Sequence, residues 1–195
     1  MSDSTSAIVE EPAARTRNER HVDVFIALVV MTALVSVALT AAIEFSNGVS
    51  PDINWPLYAL VAVLLLAGET TTTKFMRMSN GGLVTMGWTF AFSLVLLGSP
   101  TGAVAVLSVA TVLAEIRSRH DFRRVVFNTS QVAVSLAFGG LTLFAFGIHG
   151  PLTDDGSIPL TSGIAILCSA LVVFITNGVT VCYVISVSRG EQLIR

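Results

Sequence analysis

Residues 22–43 read VDVFIALVVMTALVSVALTAAI, an apolar run broken by a single charge, Asp23, close to its start. A helix needs about 20 apolar residues to cross a hydrocarbon core of about 30 Å, and this run supplies them. In water, a helix apolar on every side must be buried on every side. The rest of the chain cannot provide that cover, because it is of the same kind. Of 195 residues, 53% are hydrophobic and only 12% charged, with a mean hydropathy of +0.77, whereas soluble domains carry about a quarter charged residues. No span longer than about twenty residues is left over for a folded soluble module. The expectation is an integral membrane protein whose first partner is the lipid bilayer.

Residues 1–21 are rich in Ser, Glu and Arg and of mixed charge. They are expected to form a disordered cytoplasmic tail. The apolar run behind them exceeds the 7–15 residues of a signal-peptide h-region, so it is read as an uncleaved first span. Toward the C-terminus, Gly48, Pro51 and Asp52 mark a short turn-rich connection. Trp55 and Tyr58 then open a second run ending near Gly68, with aromatic rings suited to an interfacial belt. Glu69 to Gly82 is a polar connection whose threonines extend the helix before it. Two shorter runs, Leu83–Leu97 and Thr101–Ile116, flank Gly98-Ser99-Pro100, a tight-turn sequence, and form a helical hairpin. A fifth run spans Val125–Ile148 and a sixth Leu160 to about Val187, separated by a loop containing Asp154 and Asp155.

The basic residues alternate between connections as the positive-inside rule requires. Arg15, Arg17 and Arg20 precede the first run; Lys74 and Arg77 lie between the second and third. Arg117, Arg119, Arg123 and Arg124 lie between the fourth and fifth, and Arg189 and Arg195 follow the sixth, which accounts for all 11 Lys and Arg. The other connections hold Asp52, Asp154 and Asp155 instead. Both termini are therefore expected in the cytoplasm and the number of crossings is expected to be even. The fold class is all-α, a polytopic bundle of six transmembrane helices, with a membrane domain at 22–188 and a short cytoplasmic tail at 189–195. Arms of about 15 and 16 residues in the hairpin fit either a full crossing or a re-entrant dip, since a crossing helix usually has 17–25 residues. Charge does not separate the two.

Polar residues inside the runs are the candidates for function. Asn128 and Gln131, three apart, share a helix face, with Ser130 and Ser135 nearby. Asn177 sits near the middle of the sixth run, where an unsatisfied amide would be costly, so it faces protein or a cavity. Each of these is either a ligand contact or an interhelical hydrogen bond. Glu69 and Glu115 lie near helix ends beside Lys74, Arg117 and Arg119, where interfacial ion pairing accounts for them. Glu44 and Asp23 also lie near helix ends and are expected to keep their charge by exposure. Arg117, Arg119, Arg123 and Arg124 serve as topology determinants or bind anionic lipid head groups. Ser135, Gly139 and Gly140 would permit close helix approach, including that of a second copy.

The sequence contains no phosphate-binding Gly-Lys-Thr loop, no His-Glu-x-x-His and no nucleophile elbow. His21, His120 and His149 fall in separate connections. Cys168 and Cys182 share one run and, in a helix, stand about 21 Å apart along its axis, too far to pair there. The expectation is a chain that is not an enzyme, with no cofactor, no metal and no nucleic-acid partner.

One stretch carries a resemblance. Arg123-Arg124-Val125-Val126-Phe127-Asn128-Thr129-Ser130-Gln131 resembles the R-x-x-(L/V)-F-N-x-x-Q segment of bacterial membrane-associated sensor domains of the MASE type, which precede GGDEF, EAL or HD-type cyclic di-GMP signalling modules. Gly98-Ser99-Pro100 extends the likeness, as does Asn177 followed by Ser188-Arg189-Gly190, which looks like the junction to an output module. The sequence departs from the pattern by ending at Arg195 without that module. The resemblance implies a sensor or signal-input domain of the bacterial inner membrane acting through a cytoplasmic signalling partner, a missing output module or a homodimer. A different class, the substrate-binding membrane subunit of a vitamin-type uptake system, is also built from about six helices. It predicts a buried polar cavity closed by a loop.

Overall fold

The computed structural model describes residues 12–48, 53–72, 87–150 and 159–189. These form six helices and no strand: α1 (Pro12–Ser46), α2 (Trp55–Thr72), α3 (Gly87–Leu96), α4 (Pro100–Arg117), α5 (Phe122–Ala145) and α6 (Leu160–Arg189). Lys74, Arg77, Asp52, Asp154, Asp155, Arg195 and the Gly190 end of the expected junction lie outside the described residues. The all-α class is as expected. The N-terminal segment is not, because α1 begins at Pro12, well inside the stretch expected to be a disordered tail. Proline fits the first helical turn, where its missing N–H has no partner to lose.

Four helices are long and apolar enough to cross a membrane: α1 over Arg20–Ser46, α4, α5, and α6 over Leu160–Val187. The described α3, with 10 residues, reaches about 15 Å at 1.5 Å per residue, half a hydrocarbon core. Burial separates the roles. Of the most apolar window, 56% is buried in α5 against 22% in α1 and 17% in α6. Helix α5 is the hub, packed by α1, α4 and α6, while α2, α3 and α4 form a second group joined to it mainly through α4, with a smaller contact from α3. The outer faces of α1 and α6 display Leu28, Met31, Val35, Leu171 and Phe174. An apolar surface of this extent suits hydrocarbon, where every backbone group must find its bond within a helix.

Three contacts fix the direction of the chain. Asp23 of α1 meets Arg123 at the start of α5, Glu44 of α1 meets Ser99 at the start of α4, and the Phe25 ring of α1 packs tilted against that of Tyr183 late in α6. The start of α1, the α4–α5 turn and the end of α6 therefore share one end of the bundle, the arginine end. The α3–α4 turn lies at the other. Gly98, at φ +104, makes that turn as its sequence predicts, and Ser99 caps α4 by accepting from the Gly102 N–H at 3.1 Å, with Pro100 in the first turn.

Helices α4 and α5 end alike. After α5, Gly147 (φ +77) donates to the Phe144 carbonyl and Ile148 to that of Leu143. After α4, Arg119 (φ +55) donates to the Ile116 carbonyl and His120 to that of Glu115. Both are Schellman closures, which place a left-handed residue just past the helix. At the first it is glycine; at the second it is arginine.

Candidate functional site: a polar seam along helix five

Helix α5 carries a series of polar contacts from the arginine end inward. At the mouth, the Glu115 carboxylate gathers three partners. The His120 ring bonds Oε2, the Asn128 amide donates to Oε1 at 2.6 Å, and Arg124 Nε stands 3.7 Å from Oε2. This corrects the expected pairing of Glu115 with Arg117 and Arg119. The Schellman turn sends the chain back sharply and returns His120 and Arg124 to the carboxylate, whereas Arg117 and Arg119 are exposed and make no ion pair among the described residues.

About two turns deeper, the Gln131 side-chain amide donates to the Asn177 carbonyl oxygen across the α5–α6 interface. Gln131 is buried. Asn128 and Gln131, expected on one face, reach different helices, α4 and α6. Further along, Ser135 donates to the Gln131 carbonyl at 2.9 Å and Ser169 of α6 to the Gly139 carbonyl at 2.8 Å. The small-residue face Ser135-Gly139-Gly140, read as permitting contact with a second copy, is occupied by the chain's own helices: Ser169 and Val173 on one side, Pro100 and Thr40 on the other.

Two sites were not legible in the sequence. Glu44 is buried, not exposed. Its carboxylate accepts from Ser99 Oγ at 2.7 Å and from the Thr101 N–H at 3.0 Å, and Tyr58 donates to the Ser99 carbonyl at 3.3 Å. The first turn of α4 contains no acidic residue, so α1 supplies the negative charge that its N-terminal dipole favours. That missing acid was the available signal, although it does not name the donor. The second site is His120, whose place in a connection does not reveal its Glu115 partner. Of the remaining candidates, Glu69 is buried against α3, where its carboxylate occupies the space a Gly87 side chain would take. Asp23 and Arg123 form an exposed pair at 3.2 Å, of small energetic weight in that setting.

Two cavities open at the surface of the bundle. One, of about 490 Å³, lies between α1, α4 and α5 and is lined by residues including Ala33, Val104, Ser108, Thr129 and Ala133. The other, of about 570 Å³, continues along α4 and α5 toward Ile116, His120 and Phe122. Thr129 and Ser130 line both. The described residues contain no group of three His, Cys, Asp or Glu able to hold a metal ion. No family model, curated protein or solved structure matches the chain. The fold and seam define a helical membrane protein with an internally bonded polar core.

Proposed function

We propose that the chain is a signal-input unit of the bacterial inner membrane, with both termini cytoplasmic. In this reading it passes a change in helix packing to a cytoplasmic partner, or to an output module of the kind that follows MASE-type domains. The supporting observation is that the polar residues of the seam are bonded to one another across helices: Asn128 to Glu115 and Gln131 to Asn177. Side-chain bonds between helices in lipid contribute only about 0.6–2 kcal/mol each. They are strong enough to hold one packing and weak enough to exchange for another. Helix α6, at 30 residues, is about 45 Å long. It exceeds the hydrocarbon core by about 15 Å and runs unbroken from the Asn177 contact to the arginine end, so a shift at the amide pair is carried outward. A solute-uptake subunit would turn these amides toward a ligand in a polar cavity, whereas Asn128 and Gln131 each give a side-chain bond to a neighbouring helix.

The test is a distance measurement. With Cys168 and Cys182 replaced by serine, spin labels at Ser118→Cys and Val187→Cys report the separation of the α4 and α6 ends in lipid nanodiscs. Gln131→Leu, which destabilises the pairing by about 1 kcal/mol, is expected to broaden or shift that distribution while the thermal midpoint falls only slightly. Asn177→Leu should do the same, and the double variant should be no worse than either single one. Identical distributions in all four proteins would leave a static anchor and end the signalling reading.

A further inference from the structure

The two cavities share Thr129 and Ser130 and form one groove along the α4–α5 seam, from Thr101 to His120. The stretch of α4 from Thr101 to Ile116 is about 22 Å long, more than the half-thickness of about 15 Å that one leaflet fills. Its walls are alanine, valine and short hydroxyl residues. The mouth differs. Ile116 and His120 line it, and between and beside them Arg117 and Arg119 are exposed without an ion pair among the described residues. Glu115, the nearby anion, is committed to His120, Asn128 and Arg124.

Arg119 provides an independent observation. It occupies the left-handed position of a Schellman closure at φ +55, where a side chain adds strain that glycine avoids. Gly147 fills the same position at the end of α5. A positive charge for topology can sit anywhere in a cytoplasmic turn, so topology does not explain an arginine at the one strained residue of this turn. A cation beside the groove-lining Ile116 and His120 does. Thr129, where the two cavities meet, and Thr101 each hold a buried hydroxyl without a protein partner, unlike Thr32, Thr40, Thr142 and Thr180, which donate to carbonyls one turn back.

We propose that this groove is a binding site for an anionic phospholipid of the arginine-side leaflet, one acyl chain lying along α4–α5 and the phosphate held by Arg117 and Arg119. A helix of a second copy fits less well. Its apolar surface would leave the two arginines uncompensated. The inference does not depend on the signalling reading.

The test uses the full chain in nanodiscs of phosphatidylcholine doped with phosphatidylglycerol, followed by native mass spectrometry of retained lipid. Wild type is expected to retain phosphatidylglycerol over phosphatidylcholine by roughly 30-fold, as two basic residues at about 1 kcal/mol each would give. Arg119→Gly, which keeps the turn and relieves its strain, is expected to lose roughly fivefold of that preference while melting no lower than wild type. Ala133→Phe, which fills the groove and leaves every charge, is expected to abolish retention; Ala105→Leu is a milder second filler should the first fail to fold. Equal retention of the two lipids would overturn the proposal. So would loss of retention with the charge variant but not with the fillers, which would mean diffuse surface attraction. A dimer that the fillers dissociate would also overturn it, placing a second copy in the groove.

Discussion

Gly140→Val is expected to destabilise the bundle by about 3 kcal/mol, the upper range for forcing extra carbon into a packed interior. It should abolish the monodisperse peak on size exclusion after mild heating. A Cβ at residue 140 would stand 2.6 Å from the Pro100 Cβ and 3.6 Å from Thr40 Cγ2. The proline ring is tied to its own backbone and cannot rotate away, so α4 as a whole must retreat from α5. Thr40 of α1 blocks the other direction. Gly139→Val meets Val173 Cγ2 at 2.5 Å from the added Cβ, and a helical valine is nearly fixed in one rotamer, so α6 would have to move instead. The sign reverses at Gly163 and Gly178, where nothing lies within 4 Å of an added Cβ. Alanine there should stabilise by about 0.5–1 kcal/mol through helix propensity alone. A series in which all four glycines behave alike would show that close approach of α5 to its neighbours does not hold this bundle together.

The same contacts explain which features could be read from the chain and which could not. Apolar runs depend on solvent alone, so the helices follow from composition and spacing. Gly98-Ser99-Pro100 encodes its turn locally, with a residue free to adopt positive φ, a capping hydroxyl and a proline suited to the first turn. Partner identity is different, because it depends on which helices touch. Nothing in the three-residue spacing of Asn128 and Gln131 tells that one bonds α4 and the other α6. Glu44 lies 55 positions from Ser99, so it looked like a helix-end charge kept in water. The beginning of α1 is a separate case. Ser, Glu and Arg are compatible with either a solvated coil or a solvated helix, and only the continuation of the helical ladder from the apolar run decides between them.

Glu44→Ala is the second large effect, and its physics is electrostatic. The carboxylate closes the N-terminus of α4 from a neighbouring helix, taking the Thr101 N–H and the Ser99 hydroxyl, while Ser99 Oγ takes the Gly102 N–H. Truncation leaves two donors unpaired in a buried setting, and hydrogen bonds to a charged group contribute about 1.5–3 kcal/mol each. A loss of about 3 kcal/mol is expected, together with detachment of α1 from α4 at that end. Glu44→Gln separates the components: its oxygen still accepts one bond, but the charge facing the α4 dipole is gone, so a loss of about 1 kcal/mol is expected. Tyr58→Phe removes only a 3.3 Å bond to the Ser99 carbonyl and should change stability by less than about 1 kcal/mol. The order Ala, Gln, Phe, measured as thermal midpoints in one detergent, tests the assignment. If Glu44→Gln proved as damaging as Glu44→Ala, the charge itself would be the stabilising element. If both matched wild type, the carboxylate would be solvated in the membrane and the interhelical cap would not exist.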